Sequence, residues 1–315
     1  MKIIPIAFDS FGVRSMSTFV MTKDVNIYID PGVALGPTRY GLSPTNVEYE
    51  AVDLARKKIM EVAKKYADVV VVSHYHYDHH PFPDDMKMYE ACFKGKKVFA
   101  KDRLHNVNAS AKNRGRIFEK NVKPLAKSLK WTDGTKVEFG RTHIEFSPAV
   151  WHGDVDSRVG KVIMVYVKEG RESFLFGSDA QGLADPKALE WFVKKNPDFA
   201  ILDGYPTIFV GWRMKTSNFE KSKTHLKKVL DKTKVKTIIL EHHILRDIHY
   251  KEKMKDVFDM AKKLRKKILS AAEYYGLENF FLEAWRREIT EGKMKVDVKK
   301  YYKELFRRID EKIKS

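Results

Sequence analysis

Four consecutive valines at positions 69–72 mark the clearest strand in the hydrophobic pattern of the chain. β-Branched side chains at successive positions are typical of a strand that is buried on both faces. The first polar residues after this strand are Ser73 and His74, and three further histidines follow within six residues. The pattern therefore predicts a buried strand whose carboxyl end carries a dense set of polar side chains.

Further strands and helices are predicted on both sides of this segment. Short apolar or alternating runs between turn residues predict strands, and apolar residues at helical spacing predict helices. The strands are predicted at residues 2–8, 17–21, 25–29, 97–100, 136–139, 142–147, 162–167, 173–176, 199–202 and 235–241, and the helices at residues 46–66, 186–194 and 218–230.

The pattern changes to helical spacing after His249. Apolar positions recur from Met254 to Ala272, a second helix is predicted around residues 280–285, and a third begins with Asp297 as its N-cap. We therefore divide the chain into a core of residues 1–250 and a helical extension of residues 251–315 that packs onto the core.

The segment after the valine strand reads His-x-His-x-Asp-His from residue 74 to residue 79. Residues two apart in an extended backbone point the same way, so His74 and His76 can bind one ion. Once the chain turns, Asp78 and His79 can reach a second ion. Imidazole and carboxylate ligands suit a metal such as Zn²⁺. The alternative is a histidine-rich surface loop. That interpretation is much the weaker one, because four metal-binding groups stand within six residues.

This segment resembles the signature of the metallo-β-lactamase superfamily, which takes further ligands from the ends of other strands. Four candidates follow predicted strands in the expected order: Asp30, His152, Asp179 and His242. The resemblance covers about residues 6–250. It implies an α/β fold, the four-layer αβ/βα sandwich of the metallo-β-lactamase fold, with a C-terminal helical extension.

The resemblance also implies two divalent metal ions, Zn²⁺ in the first place and Mn²⁺ or Fe as alternatives. One ion would be bound by His74, His76 and His152, and the other by Asp78, His79 and His242, with Asp179 bridging the two. Asp30 would orient a ligand imidazole. Such a pair, about 3.5–4 Å apart, can share a hydroxide near neutral pH and bind the oxygens of an ester or phosphate.

Asp78 and His243 are the predicted catalytic residues. His243 follows the ligand His242, and a histidine that faces the cleft can serve as a general acid near neutral pH. Glu241 is an alternative for the same assisting role. A second alternative is that His243 only orients a ligand or lies on the surface.

The net charge of +18 is concentrated in three blocks, at residues 86–130 (net +10), 214–237 (net +6) and 251–315 (net +7). Such blocks attract anionic ligands. The alternative is that they are solvated helix faces.

The first block includes a polar stretch at residues 106–116 without a clear period, which we predict to be a phosphate-binding loop. Its alternating Lys112, Arg114 and Arg116 could then point at one anion, whereas the alternative is the start of a surface helix.

The residues from Leu240 to Arg246 are similar to the Leu-x-His-x-x-x-Arg segment of the transfer-RNA 3′-processing endonucleases. This similarity adds Arg246 to the predicted substrate-binding residues. Pro81 and Phe82, however, stand where that branch has a small residue, a glycine and a leucine, and no transfer-RNA-gripping arm is visible. The chain resembles instead an archaeal group of predicted metal-dependent hydrolases without an assigned substrate.

Together these features predict a dinuclear metal-dependent hydrolase that cleaves a phosphodiester by a metal-bound hydroxide. The expected partner is an anionic substrate such as RNA, DNA or a nucleotide. Two alternatives stay open. The first is a hydrolase of a non-phosphate ester or lactone, and the second is a nucleic-acid-binding protein with structural metals.

Composition predicts the cellular compartment and the kind of source organism. The single cysteine, Cys92, excludes a disulfide framework and suits a reducing interior. The N-terminal apolar run at residues 3–8 is too short for a signal peptide, and no stretch approaches a membrane span. We therefore expect a cytoplasmic protein that does not act at a membrane. Abundant lysine and glutamate with a single glutamine, Gln181, favour a thermophilic source.

Overall fold

The computed structural model describes all 315 residues. The strands are β1 (Lys2–Phe8), β2 (Met16–Met21), β3 (Asn26–Ile29), β4 (Val69–Val72), β5 (Lys97–Ala100), β6 (Ser128–Trp131), β7 (Lys136–Phe139), β8 (Thr142–Phe146), β9 (Val150–Trp151), β10 (Lys161–Val162), β11 (Val165–Glu169), β12 (Glu172–Phe176), β13 (Phe199–Asp203), β14 (Thr237–Glu241) and β15 (Lys267–Leu269). The α-helices are α1 (Asn46–Tyr66), α2 (Met86–Phe93), α3 (Ala109–Val122), α4 (Pro186–Lys195), α5 (Thr216–Lys232), α6 (Tyr250–Lys253), α7 (Lys255–Lys263), α8 (Ala271–Tyr274), α9 (Arg286–Thr290) and α10 (Val298–Lys314).

The chain divides into two compact units, each assembled from separate segments. The first unit comprises Met1–Phe99, Arg114–Lys130 and Ala271–Ser315, and the second comprises Ala100–Asn113 and Trp131–Ser270. The predicted core of residues 1–250 and extension of residues 251–315 rest on the change to helical spacing after His249 and on the extent of the family resemblance, not on compactness. That division stays a prediction.

The first unit is built on a six-stranded sheet with the order β1-β2-β3-β4-β5-β6. Strands β1 to β3 are antiparallel neighbours, whereas β3 and β4 are parallel. All four valines of β4 are buried, as their continuous β-branched run predicts. Because the carboxyl ends of parallel neighbours meet at one edge of a sheet, Asp30 after β3 and Ser73 after β4 lie side by side.

The second unit is built on a seven-stranded sheet with the order β15-β14-β13-β12-β11-β8-β7. Strands β12 to β15 run parallel to one another, and β7, β8 and β11 pair antiparallel. The carboxyl ends of β12, β13 and β14 therefore share one edge, and Asp179, Asp203 and His242 are the polar residues at those ends. Strands β9 and β10 form a separate antiparallel pair.

Local capping explains why two of the long helices begin where the sequence predicts. At the start of α1, Thr45 and Glu48 form a reciprocal capping box. Glu48 is also buried against Arg286, whose guanidinium donates to both oxygens of the carboxylate at 2.7–3.1 Å. At the start of α10, the Asp297 side chain accepts from the Lys300 amide at 2.9 Å, so Asp297 is the N-cap that the sequence predicts.

No helix of the chain is long and apolar enough to cross a lipid bilayer.

The predicted phosphate-binding loop at residues 106–116 is wrong, because helix α3 covers most of it. The Asn108 side chain accepts from the Ala111 amide at 2.7 Å, and Gly115 and Phe118 are buried on the inner face of the helix. The alternative interpretation, a helix start, is confirmed. Side chains two apart in a helix diverge by about 200°. Lys112, Arg114 and Arg116 therefore do not point together at one anion.

Three other predicted elements are wrong, because apolar spacing alone does not show where one strand or helix ends and the next element begins. Residues 251–276 contain the strand β15, since Arg265 adopts a left-handed φ of 55° that ends the preceding helical stretch. Residues 280–285 form turns before α9 rather than a helix. The strand predicted at residues 162–167 is split between β10 and β11, which belong to different sheets.

Candidate metal centre

In the first unit, Asp30 is the centre of a buried hydrogen-bond network between the ends of β3 and β4. Its Oδ1 accepts from the Ser73 amide at 2.7 Å, and its Oδ2 accepts from the Ser73 hydroxyl at 2.5 Å. His79 Nδ1 donates to the same Oδ2 at 2.8 Å. With its proton on Nδ1, His79 keeps the lone pair of Nε2 for a metal ion. Burial raises the pKa of the Asp30 carboxyl, and the hydrogen bonds from His79 and Ser73 oppose that rise.

His74 is oriented by the same network through Ser73. The Ser73 hydroxyl lies 3.2 Å from His74 Nδ1, and since its own proton goes to Asp30, it accepts from that nitrogen. The His74 ring lies 4.7 Å from the His76 ring and 4.1 Å from the His79 ring, measured between centroids. Ligand atoms of Asp30, His74 and His79 all lie within 4.8 Å of one another. The predicted segment thus gathers several metal-binding side chains, and their binding of metal stays a prediction.

Two backbone features hold this histidine segment against the end of β3. Asp30 has a left-handed φ of 51°, which turns the chain sharply at the strand end. A Cβ on Gly32 would lie 2.2 Å from the backbone nitrogen of His80, so only glycine permits the close approach. Asp78 is half-buried, and its Oδ1 lies 4.0 Å from His79 Nε2, too far for a hydrogen bond.

In the second unit, two imidazoles converge on the carboxylate of Asp179, which is fully buried. Asp179 Oδ2 lies 3.0 Å from His152 Nε2 and 3.6 Å from His242 Nε2. Two donors that each lie 2.0–2.1 Å from a tetrahedral ion are separated by about 3.4 Å. The observed separations bracket that value, so the arrangement can hold a metal ion. Ser178 and His242 both have left-handed backbone conformations, with φ of 49° and 60°, a costly geometry that clusters at functional sites.

Asp203 and His243 form a second carboxylate–imidazole pair, which the sequence did not predict. Asp203 Oδ2 accepts from His243 Nδ1 at 2.8 Å, and its Oδ1 accepts from the His243 amide at 3.0 Å. Burial and the neighbouring Asp179 raise the pKa of Asp203 well above its usual value. Burial, then Arg246 and His242, lower the pKa of His243 well below its usual value. With Nδ1 bonded to Asp203, Nε2 is the ring nitrogen of His243 that is left for other contacts.

Arg246 lies at the same strand end and is buried. Its Nη2 is 3.2 Å from His242 Nε2, and because arginine can only donate, His242 accepts through that nitrogen. Ligand atoms of Asp179, His242 and His243 lie within 4.8 Å of one another. A metal ion at His242 Nε2 would have to replace the hydrogen bond from Arg246, because that nitrogen has a single lone pair. The assignment of His242 as the ligand stays a prediction.

Gln181 is a further site residue that sequence reasoning missed. Its side-chain nitrogen lies 3.5 Å from His152 Nδ1. A Cβ on Gly153, which has a φ of 80°, would lie 2.1 Å from Gln181 Oε1. Glycine at position 153 thus makes room for the amide that contacts the His152 ring. Asp203 could have been found by the strand-end rule that identified Asp179, whereas no sequence signal marks Gln181.

The predicted substrate-binding residues of α3 lie on two faces of the helix, with Lys112 and Arg116 on one face and Arg114 on another. Lys112 and Arg116 are exposed, whereas Arg114 is half-buried, with its guanidinium 5.1 Å from the centroid of the Tyr77 ring. Tyr77 lies between the predicted metal ligands His76 and Asp78 in the sequence. Of the three basic residues, only Arg114 therefore contacts the histidine segment. A role in substrate binding stays a prediction for all three.

Comparison with known proteins identifies the family. The profile of the beta-lactamase superfamily domain matches residues 25–243. A UPF0282 protein of Methanocaldococcus jannaschii is 40% identical over 93% of this chain and 98% of its own. A UPF0282 protein of Pyrococcus furiosus is 41% identical over 97% of this chain and 99% of its own. The chain belongs to the UPF0282 family of the β-lactamase superfamily. The resemblance to this superfamily, and to an archaeal group within it, is confirmed.

Solved structures similar to this UPF0282 protein share its fold. YhfI of Bacillus subtilis, a metallo-β-lactamase fold protein, has a TM-score of 0.51 and 15% identity over 85% of this chain and 95% of its own. Unliganded yeast PDE1 has a TM-score of 0.51 and 10% identity over 86% and 98%. CmlA of Streptomyces venezuelae, a diiron beta-hydroxylase, has a TM-score of 0.53 and 11% identity over 85% and 52%.

At these identities the likeness shows the fold alone. The predicted fold class, an α/β protein with the αβ/βα sandwich of the metallo-β-lactamase fold and helices at its C-terminus, is confirmed. The UPF0282 protein therefore has the metallo-β-lactamase fold, and its histidine and aspartate clusters could hold metal.

Proposed function

We propose that this UPF0282 protein is a dinuclear metal-dependent hydrolase that cleaves a phosphodiester in a nucleic acid or nucleotide. The observation that carries the proposal is the buried Asp179 carboxylate, on which the Nε2 atoms of His152 and His242 converge. A buried carboxylate flanked by imidazole nitrogens suits a borderline divalent cation. Membership in the β-lactamase superfamily supports the hydrolase class.

As the superfamily resemblance implies, His74, His76 and His152 would hold one ion and Asp78, His79 and His242 would hold the other, with Asp179 shared by the two sets. The donor chemistry fits Zn²⁺, and also Mn²⁺ or Fe. Support comes from the Asp30–His79 pair, because a metal-binding histidine usually donates its other ring nitrogen to a carboxylate.

Two divalent ions, when bound, would lower the pKa of a water molecule and stabilise the charge that develops on a phosphoryl group. The chain's own residues supply the rest. Asp203 fixes the ring of His243 through Nδ1, so that the lone pair of Nε2 is placed to accept a proton from a water molecule. The lowered pKa of His243 suits this role of general base better than the general acid expected from the sequence. Arg246 provides a buried positive charge beside these histidines, suited to a phosphate oxygen.

The charge distribution favours a phosphodiester over a neutral ester or lactone. Residues 86–130 carry a net charge of +10 and include the helix α3, whose Arg114 contacts the histidine segment. A nucleic-acid-binding protein with structural metals is less well supported, because structural zinc sites are closed by four ligands around one ion. Asp179 and His243 instead belong to a larger set of donors.

The test is a hydrolysis screen with bis-p-nitrophenyl phosphate, short RNA and a panel of lactones, on protein purified without chelators. We expect hydrolysis of the phosphodiesters and its loss in His152→Ala. His143→Ala is the matched control, because His143 is 45% exposed on β8. Hydrolysis of lactones alone would contradict a phosphodiester substrate and favour a neutral one. Metal binding without any hydrolysis would favour a nucleic-acid-binding protein with structural metals.

A further inference from the structure

The segment between β12 and α4 carries Asp179 on a backbone of unusual conformation. We call residues 178–185 the Asp179 loop. Within it, Ser178, Gln181 and Leu183 have left-handed φ values of 49°, 43° and 55°. Such conformations are costly for residues other than glycine, and they persist only where the surrounding structure holds them in place. The contacts that hold this loop are therefore part of what places its carboxylate.

Two buried side chains of helix α5 donate hydrogen bonds to this loop. The Ser222 hydroxyl donates to the Gly182 carbonyl at 3.1 Å, and His225 Nδ1 donates to the Leu183 carbonyl at 2.7 Å. Their spacing of three residues places both side chains on one face of the helix. Gly182 has a φ of 67°, and a Cβ there would lie 2.1 Å from Ser222 Oγ. Helix and loop are thus packed together without room for a side chain between them.

The same loop is joined to two neighbouring strands at the edge that carries the predicted ligands. The Gly182 amide donates to the Asp203 carbonyl at 2.7 Å, at the end of β13. The Asp185 carboxylate accepts from the Trp151 amide at 2.9 Å, in the residue before His152. A change in the conformation of the loop would therefore alter the distance between its own carboxylate and the imidazole of His152.

We infer that Ser222 and His225 are positioning residues of the metal centre. They hold the Asp179 loop in the conformation that places Asp179 Oδ2 3.0 Å from His152 Nε2. Both act through backbone carbonyls of the loop, and neither would bind an ion itself. Ligands must be held within about 0.5 Å of their productive geometry, so the loss of either hydrogen bond is felt at the ion. The inference rests on the proposed function, since it concerns the placement of a proposed ligand.

The alternative is that the two hydrogen bonds only stabilise the fold. The position of α5 itself does not depend on them, because the helix also buries an apolar face that includes Leu226, Val229 and Leu230. Removing one hydroxyl or one imidazole should therefore leave the helix in place and allow the strained loop to relax. A positioning role then predicts an effect on metal binding, whereas a purely structural role predicts an effect on stability alone.

The experiment titrates metal-free protein with Co²⁺ and follows the visible absorption of the bound ion, with affinity measured by competition against a chromophoric chelator. We expect Ser222→Ala and His225→Leu each to weaken Co²⁺ binding by about tenfold or more, as the loss of an outer contact of a metal site does. The absorption spectrum should also change, because a displaced carboxylate alters the ligand geometry. His225→Asn should restore the wild-type affinity, since its amide nitrogen is attached to Cγ as Nδ1 of histidine is.

Thr233→Val is the matched control, because the buried Thr233 hydroxyl donates to the Val229 carbonyl at 2.7 Å. It lies about 16 Å along the helix axis from Ser222 and should keep the wild-type affinity. Circular dichroism checks folding, and the two test variants remove different hydrogen bonds, so either one alone can decide.

An unchanged Co²⁺ affinity and spectrum in Ser222→Ala and His225→Leu, whatever their stability, would overturn the inference. If the wild type hydrolyses phosphodiesters, the proposed function would still stand. Weakened Co²⁺ binding in these variants of a protein that hydrolyses no substrate would support the inference and count against the proposed function.

Discussion

His243 Nδ1 lies 2.8 Å from Asp203 Oδ2, and His79 Nδ1 lies at the same distance from Asp30 Oδ2. Both carboxylates are buried at the ends of parallel strands, one in each compact unit. Each pair fixes the tautomer of an imidazole and leaves its Nε2 for chemistry. The same carboxylate–imidazole pairing therefore occurs twice, once at the edge of each sheet.

Removing the Asp203 carboxylate should slow hydrolysis without preventing substrate binding. In Asp203→Ala the His243 ring loses the acceptor that orients it, so a proposed proton transfer worth about 10²–10⁴-fold should be lost. We expect kcat for a phosphodiester to fall by about 10² or more, KM to change little, and the pH–rate profile to lose the fall in rate at acidic pH that protonation of His243 would cause. Asp203→Glu should restore part of the rate.

Asp198→Ala is the control, because Asp198 lies before β13, at the opposite end of the strand from Asp203, and bonds Ser173 and Lys234. Its kcat should stay near the wild-type value. An Asp203→Ala enzyme with wild-type kcat and an unchanged pH profile would show that His243 takes no part in proton transfer.

Much of the fold followed from hydrophobic patterning, because patterning is strong where an element is long or fully buried. The valines of β4 and the amphipathic stripe of α1 gave the bounds that the structure has. The pattern failed at α3 because Gly115 and a run of polar residues leave few apolar positions at helical spacing, and the buried stripe of this helix is narrow. It also failed at β15, because Leu264 and Ile268 are spaced as in a helix although Arg265 ends that helix.

The histidine segment could be recognised because its donors are adjacent in sequence. The contacts that orient those donors are not local. Ser73 connects Asp30 to His74, and Asp203 reaches His243 across neighbouring strands. Such pairs depend on strand order and on left-handed backbone at strand ends, neither of which a residue pattern encodes. The ligand roles themselves stay predictions.

Gly153 should tolerate alanine less well than a glycine of similar backbone conformation. Alanine at a left-handed position costs about 1–2 kcal/mol, and at position 153 its Cβ would also collide with Gln181 Oε1. We expect Gly153→Ala to lower the free energy of unfolding more than Gly170→Ala does. Gly170 has a φ of 58° with no atom near its Cβ position.

Urea denaturation of the two variants measures this difference. Because Gln181 contacts His152, Gly153→Ala should also weaken metal binding, whereas Gly170→Ala should not. Equal losses of stability and equal metal content in the two variants would show that the Gln181 amide adapts freely.

His225 should make the stability of the protein depend on pH. Its Nδ1 donates to the Leu183 carbonyl at 2.7 Å, and burial lowers its pKa below the usual value of about 6.5. Below about pH 6.5 the unfolded chain therefore binds a proton that the folded chain does not. The free energy of unfolding should fall as the pH drops through this range.

In His225→Gln that contribution disappears, because glutamine does not titrate and its amide can still donate to Leu183. Urea denaturation between pH 5 and pH 8 should give a shallower pH dependence than in the wild type. His143→Gln, at an exposed position, should keep the wild-type slope. The same slope in all three proteins would mean that His225 titrates alike in the folded and unfolded chain.

Metal stoichiometry tests the central claim most directly. Elemental analysis of protein purified without chelators should find up to two transition-metal ions per chain, with Zn²⁺ expected first. His76→Ala should lose one of them and keep its secondary structure by circular dichroism, and His143→Ala should keep both. A wild-type protein that binds no transition metal under these conditions would contradict the account.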